Sequence, residues 1–347
     1  MKVLLNTSPT KNGHSHRGIG LYTSQLYQQL ATNKEIEIIS NDSTNKARPD
    51  IVHYPFFDLF FPTLPLFRPA PRTVVTIHDV IPLLFPNFYA PGIKGSIAFT
   101  RQKLALSSVN AIITDSVSSK KSIEKYLGIS EQNVHVVYLA GNPAISKQSP
   151  AVIAQVANRY QLPANYMLYV GDINYNKNIP QLIKALKFLP DDIHLVLVGK
   201  NFRKQEIPEW QWIETQAALS NVTSRIKYIP DLTGDVDLEL SAIYSAARAY
   251  VQPSLAEGFG LPVLEAMQCD TPVVCTNETS LPEVAGNNAQ YCEPKAESMA
   301  EAISDVLQLS QVKKKQITES AHEWSEHFSW KKTAKETIEV YKQVLQL

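Results

Sequence analysis

Glu257 and Glu265 stand eight positions apart, with a glycine-rich turn between them. The stretch from Tyr250 to Met267 reads as a strand ending near Pro253, then a loop with Glu257, Gly258, Phe259 and Gly260. A helix follows, with Pro262 in its first turn. Proline suits that place, where its missing N–H would have no partner. The backbone N–H groups of residues 258–261 then sit at a helix N-terminus, where orphan donors and the helix dipole favour an anion. Glycines there let a diphosphate approach the backbone closely. A carboxylate can accept two hydroxyl hydrogen bonds, which suits a ribose diol or the hydroxyls of a sugar. From spacing alone, a solvated loop glutamate and an ordinary helix-surface glutamate fit equally well.

Other candidates also follow strands. Lys177 comes after Gly171 and strand 166–170; a lone loop lysine is ordinarily solvated, but this position makes it a candidate cation. Arg203 follows another strand that ends at Gly199. His78 follows strand 73–77, at a carboxyl edge, although a lone histidine is more often structural. Gly18 and Gly20 precede a helix, next to Arg17. They fail as a dinucleotide fingerprint, because the third glycine position is Thr23. Two carboxylates could also serve a retaining glycoside hydrolase, about 5–5.5 Å apart. That chemistry would require neither the glycine-rich helix start nor the lysine loop.

The elements that must position these groups alternate. Strands are expected at 3–5, 36–40, 51–53, 73–77, 111–114 and 134–138, with helices at 20–32, 93–107 and 118–127. A second series has strands at 166–170, 193–198, 226–228, 249–252 and 272–275, and helices at 181–189, 238–246, 262–268 and 296–309. Alternation of this kind implies an α/β fold with doubly wound parallel sheets. The seam lies in 141–164, which contains Gly141, Pro143, Pro150 and Pro163 around a short helix-like piece. Two Rossmann-like domains are expected, 1–150 and 151–328. A final helix, 329–347, is expected to pack back on the first domain. Ligands of open parallel sheets bind outside the carboxyl ends of the strands, so two such domains facing each other would form one deep cleft.

The chain has 347 residues, enough for about two domains. Lys+Arg and Asp+Glu are both 33, so a nucleic-acid partner is not expected. No apolar run reaches the roughly 20 residues of a membrane span. The N-terminus turns polar at Asn6, too early for a signal peptide. Cys269, Cys275 and Cys292 match no metal spacing and read as free thiols. A cytoplasmic protein is expected. The lysines at 313–315 and 331–332 read as a solvated helix face, with a weak membrane-surface contact as the alternative. The proline-rich stretch 53–67 holds five phenylalanines. It is either a packed loop core or an acceptor- or lipid-facing surface.

The spacing of Glu257 and Glu265, within the sequence from Pro253 to Met267, resembles the signature of retaining glycosyltransferase family 4. These are the group 1, nucleotide-sugar enzymes of the GT-B fold. The stretches 271–274, 279–286 and 168–178 resemble the family's neighbouring segments. So do 17–22, 76–82 and 113–119, and the resemblance covers nearly the whole chain. It implies that Glu265 holds the donor ribose and that Glu257 contacts the donor sugar. The amides of Phe259, Gly260 and Leu261 would hold sugar hydroxyls and phosphate. Lys177 would bind the diphosphate and stabilise the leaving charge. Gly18 and Gly20 would face the donor phosphate, and His78 would reach the sugar. Asp79 would orient or cap locally. Catalysis would need no metal and no cofactor besides the donor itself.

There is one departure. Relatives often have an arginine at the position of Asp172 or Asn176, so the diphosphate site has one cation fewer. Arg203 or Arg17 could compensate. The similarity to bacterial mannosyltransferases of polysaccharide assembly tilts the donor toward a guanine nucleotide and mannose, and the acceptor toward a saccharide or a lipid-linked one. A non-catalytic nucleotide-sugar-binding protein and a GT-B epimerase or phosphorylase remain as alternatives.

Overall fold

A computed structural model describes residues 1–11, 18–40 and 48–346. The chain forms two compact units. One is Met1–Ala140 together with Phe328–Leu347; the other is Gly141–His327. Residues 141–150 therefore lie with the second unit.

The first unit runs β1 (Lys2–Leu5), α1 (Gly18–Ala31), β2 (Glu37–Ser40), β3 (Ile51–Tyr54), β4 (Arg72–Thr76), α2 (Ile81–Leu84), α3 (Gly92–Leu106), β5 (Ala111–Thr114), α4 (Val117–Leu127) and β6 (Val134–Val136). Its strands lie in the order β2-β1-β3-β4-β5-β6, all parallel. β3 and β5 are buried along their whole length, as a parallel sheet covered on both faces requires. Local chemistry sets the ends of α4. The Ser116 hydroxyl accepts the Ser119 N–H at 3.0 Å, and Gly128 stops the helix at φ +71°.

The second unit runs α5 (Pro150–Tyr160), β7 (Tyr166–Val170), α6 (Ile179–Leu186), β8 (His194–Val198), α7 (Pro208–Leu219), β9 (Ile226–Ile229), α8 (Val236–Ala246), β10 (Ala249–Gln252), α9 (Leu261–Gln268), β11 (Val273–Thr276), α10 (Leu281–Ala285), β12 (Gln290–Cys292), α11 (Ala296–Leu307) and α12 (Gln311–Ser325). The strand order is β12-β11-β10-β7-β8-β9, again parallel throughout. β10 and β7 are neighbours at the centre. Order reverses between them, which is where ligands of such sheets collect. Aliphatic residues of β7, β8, α6 and α11 form the core on one side.

α13 (Trp330–Gln346) returns to the first unit and packs on α1, β4 and β5. Trp330, Ala334, Ile338, Tyr341 and Val344 line its buried face. Tyr341 ends in a buried polar string. His53 Nδ1 lies 2.7 Å from its hydroxyl, and His53 Nε2 lies 2.8 Å from Thr76 Oγ1. Tyr22 Oη is 2.9 Å from the same Thr76 oxygen. Burial, with His78 nearby, pushes the His53 imidazole down to about 3, so it stays neutral.

α2, α7, α10, α12 and β12 are additions to the elements read from the sequence. In α12 the buried side is Thr318, Ala321 and Ser325, so no apolar stripe marks it. β12 is three residues long. No helix among the described residues is long and apolar enough to cross a membrane.

Candidate active site

In the second unit the chain leaves β7 and β10 through two loops that are laced together. The Leu255 N–H donates to Asn176 O at 2.7 Å, and Asn176 Nδ2 donates to Ala256 O at 2.8 Å. Asn178 Nδ2 donates to Pro253 O at 3.0 Å from a left-handed backbone, φ +57°, which asparagine tolerates. Lys177 sits between these ties, and its Nζ is 2.8 Å from each carboxylate oxygen of Glu257. The lysine side chain is 20% exposed and the glutamate 8%. The ion pair is therefore largely buried.

Glu257 is held from behind. Gln252 Nε2 and Ser254 Oγ each donate to its Oε1 at 2.6 Å. The Tyr250 hydroxyl donates to Gln252 Oε1 and so fixes which end of that amide faces the glutamate. The Glu257 N–H donates to Thr279 Oγ1 at 2.8 Å. The Ser280 hydroxyl lies 3.0 Å from Glu257 O and 2.8 Å from Phe259 O. Apart from Tyr250, inside β10, these groups are at the carboxyl end of β10, in the loop that follows it, or in the loop after β11.

Gly258, Phe259 and Gly260 are buried, and α9 opens directly behind them at Leu261. Gly260 has φ +115°, and a Cβ there would meet Leu281 Cδ2 at 3.0 Å. Only glycine makes that turn without strain. Gly171 ends β7. Its carbonyl oxygen lies where a Cβ on Gly199 would be, 2.0 Å away, so the turns after β7 and β8 are pressed together.

Glu265, on α9, is 9% exposed and accepts the Tyr244 hydroxyl at 3.0 Å on Oε2. Burial pushes its carboxyl up to about 7. The Tyr244 bond opposes that shift, and Asp237 adds to it.

The two positions without arginine have structural work. Asp172 Oδ1 accepts the Ile173 N–H at 2.8 Å and the Asn201 amide, joining the loops after β7 and β8. Asn176 is one of the loop ties described above. Arg203 is turned to Asp231, 3.0 Å from both oxygens, on a half-exposed surface. Arg17 lies outside the described residues.

The first unit holds the other candidates. Gly18 and Gly20 form the first turn of α1. Tyr22, two positions after Gly20 on the same helix, packs edge-on against the His78 ring at 5.0 Å between centroids. His78 Nδ1 is 2.7 Å from Asp115 Oδ2, and Nε2 is 3.1 Å from Pro55 O. Burial disfavours charge on His78, but Asp115, with help from Asp79 and the Pro55 carbonyl, raises its pKa above the usual value. Asp79 caps its own turn through the Ile81 N–H at 2.9 Å. The phenylalanines divide: Phe57 is in the core, whereas Phe61 and Phe67 are 68% and 93% exposed.

Among the described residues no three His, Cys, Asp or Glu side chains gather as a metal site. The three cysteines are buried free thiols. Tyr244, Gln252, Ser254 and Thr279 hold the candidate glutamates of the second unit, Asp115 holds His78 in the first, and motif reading gave none of them a role. Their available signal was a polar side chain at, or just beyond, the end of a buried strand or helix.

Residues 155–324 match the family described as glycosyl transferases group 1, and residues 18–142 match glycosyltransferase family 4. The chain belongs to the group 1 glycosyltransferases. O-antigen chain mannosyltransferase B of Escherichia coli is 29% identical to this glycosyltransferase, over 99% of this chain and all of that one. The serotype-specific mannosyltransferase WbdA of Escherichia coli is 30% identical over 86% of this chain, which spans 37% of WbdA. HepE of Anabaena, solved with UDP and glucose, superposes with a TM-score of 0.74 at 17% identity, covering 99% of this chain and 100% of that one. The glycosyltransferase therefore has the GT-B fold, with one Rossmann-like sheet in each unit.

Proposed function

We propose that this glycosyltransferase moves mannose, with retention, from GDP-mannose to a saccharide or lipid-linked acceptor in polysaccharide assembly. The single observation behind the site assignment is the Lys177–Glu257 ion pair, at the carboxyl ends of two central strands and in front of the α9 N-terminus. A cation and a helix start together suit a diphosphate, and a fixed carboxylate suits sugar hydroxyls. Glu265 takes the ribose hydroxyls. The amides of Phe259, Gly260 and Leu261 face phosphate and sugar, and Lys177 stabilises charge on the leaving nucleotide. The acceptor hydroxyl attacks on the face that the nucleotide leaves, and a donor phosphate oxygen takes its proton. This route calls on no metal. Mannose as the sugar is supported by the names of the two Escherichia coli relatives.

Both His78 ring nitrogens face acceptors, which supports a charged, fixed imidazolium rather than a proton shuttle. The exposed Phe61 and Phe67 support an acceptor end that meets lipid, with the enzyme working at the cytoplasmic face of a membrane.

A thermal-shift panel of nucleotide sugars tests the donor, because the correct one raises stability by mass action. GDP-mannose should give the largest shift; a larger shift with a uridine donor removes it. The anomeric configuration of the product, read by NMR, tests retention. Binding without transfer to any acceptor would leave a sensor protein instead.

A further inference from the structure

We propose that Glu257 is an internal anion that hands Lys177 to the donor diphosphate and reclaims it from the product, so that tight binding requires the sugar to be attached. The proposal rests on the donor-site reading above. Lys177 Nζ contacts both Glu257 oxygens at 2.8 Å. Oε1 has two further donors, Gln252 Nε2 and Ser254 Oγ. Oε2 has Lys177 as its hydrogen-bond partner among the described residues. The carboxylate cannot follow the lysine when it moves, because Gln252, Ser254 and the Thr279 contact to its own N–H hold it in place.

The consequence follows from charge and hydrogen-bond completion. A diphosphate that draws Lys177 away leaves Oε2 of a nearly buried carboxylate without a donor. A buried carboxylate that loses its partner is strongly unfavourable. An intact nucleotide sugar meets this need with the hydroxyls of its sugar. A nucleoside diphosphate carries none at that end, and it sets its own negative charge beside Glu257. Once the glycosyl bond is broken, repulsion and the unpaired oxygen both favour release, and the ion pair reforms. Glu257 thus separates substrate from product in binding, besides contacting the sugar.

Isothermal titration of the full chain with GDP, UDP and inorganic pyrophosphate tests this. The variants are Glu257→Gln, Glu257→Ala and Lys177→Met, each checked for an unchanged fold by circular dichroism. Removing the carboxylate charge should tighten binding of the better nucleoside diphosphate about tenfold or more, the scale of relieving a like-charge contact. Pyrophosphate should follow the same trend, and Lys177→Met should weaken both ligands. Unchanged or weaker diphosphate binding in both Glu257 variants, with Lys177→Met still weakening it, overturns the exchange and leaves the donor site standing. Unchanged binding in Lys177→Met overturns the donor-site reading and the exchange with it.

Discussion

His78 is gripped at both ring nitrogens by acceptors: Asp115 Oδ2 at 2.7 Å and the Pro55 carbonyl at 3.1 Å. A neutral imidazole has one N–H and one lone pair, so it can satisfy only one of the two. The imidazolium satisfies both. Asp115 belongs to the loop after β5, so the charge state of His78 is set by a residue 37 positions away.

The His78 pKa is raised in the folded state, so its contribution to stability is complete below about 6.5, the unfolded value. It is lost as pH rises through the folded pKa. Asp115→Asn should leave burial as the main influence on the imidazole, drop its titration below the ordinary value and remove the fall in unfolding midpoint above pH 6.5. Histidine ring NMR against pH checks this, and a wild-type His78 that titrates below 6.5 would contradict it.

Glu265 titrates at about 7 because it is buried. Its folded pKa is above the unfolded one, so stability falls as pH rises from about 4.5 to 7. Hydroxyl recognition needs the carboxylate, so donor affinity should rise over the same upper range. Glu265→Gln keeps an acceptor for the Tyr244 hydroxyl. It should melt at a higher temperature than wild type at pH 8 while binding donor more weakly. A melting temperature that falls at pH 8 would count against burial as the cause.

Lys177→Ala and Glu257→Ala should each reduce transfer on the order of 10²-fold, the scale of losing a group aimed at developing charge. The loss should appear in kcat as well as in KM. Full turnover in Lys177→Ala would remove the lysine from the reaction.

Tyr341→Phe takes one hydroxyl from the buried string and leaves His53 Nδ1 without its partner. The expected cost is about 1–3 kcal/mol, measured by urea unfolding. Since His53 stays neutral down to about pH 3, the loss should be the same at pH 5 and pH 8.

Asp172→Arg would add a cation near the proposed diphosphate site, yet it should not improve the enzyme. It removes the acceptor for the Ile173 N–H and the tie to Asn201. Melting temperature and donor affinity should both drop; tighter donor binding would show that the loop tolerates the exchange.

The alternation of buried strands and helices was legible because parallel strands covered on both faces read as apolar runs, as at Ile51–Tyr54 and Ala111–Thr114. The Glu257 loop was legible because glycine and proline punctuate it. α12 was not, since it buries small and polar residues. The support behind Glu257 was hidden for another reason. Gln252 and Ser254 are ordinary polar residues in the sequence, and only the turn of the loop after β10, tied down by Thr279 and Ser280 from the loop after β11, folds the Glu257 carboxylate back onto them. Arg203 looked like a second phosphate ligand by position, but Asp231, distant in sequence, holds its guanidinium.

The chain departs from its first unit at Ala140 and comes back to it at Phe328. On the ribosome, the second unit can therefore close before the first one has all its parts. Until α13 emerges, Tyr22, β4 and β5 lack a cover, and His53 waits for the Tyr341 hydroxyl. The unit made first is the one finished later, so a chain truncated before Trp330 should retain a folded second unit beside an aggregation-prone first one.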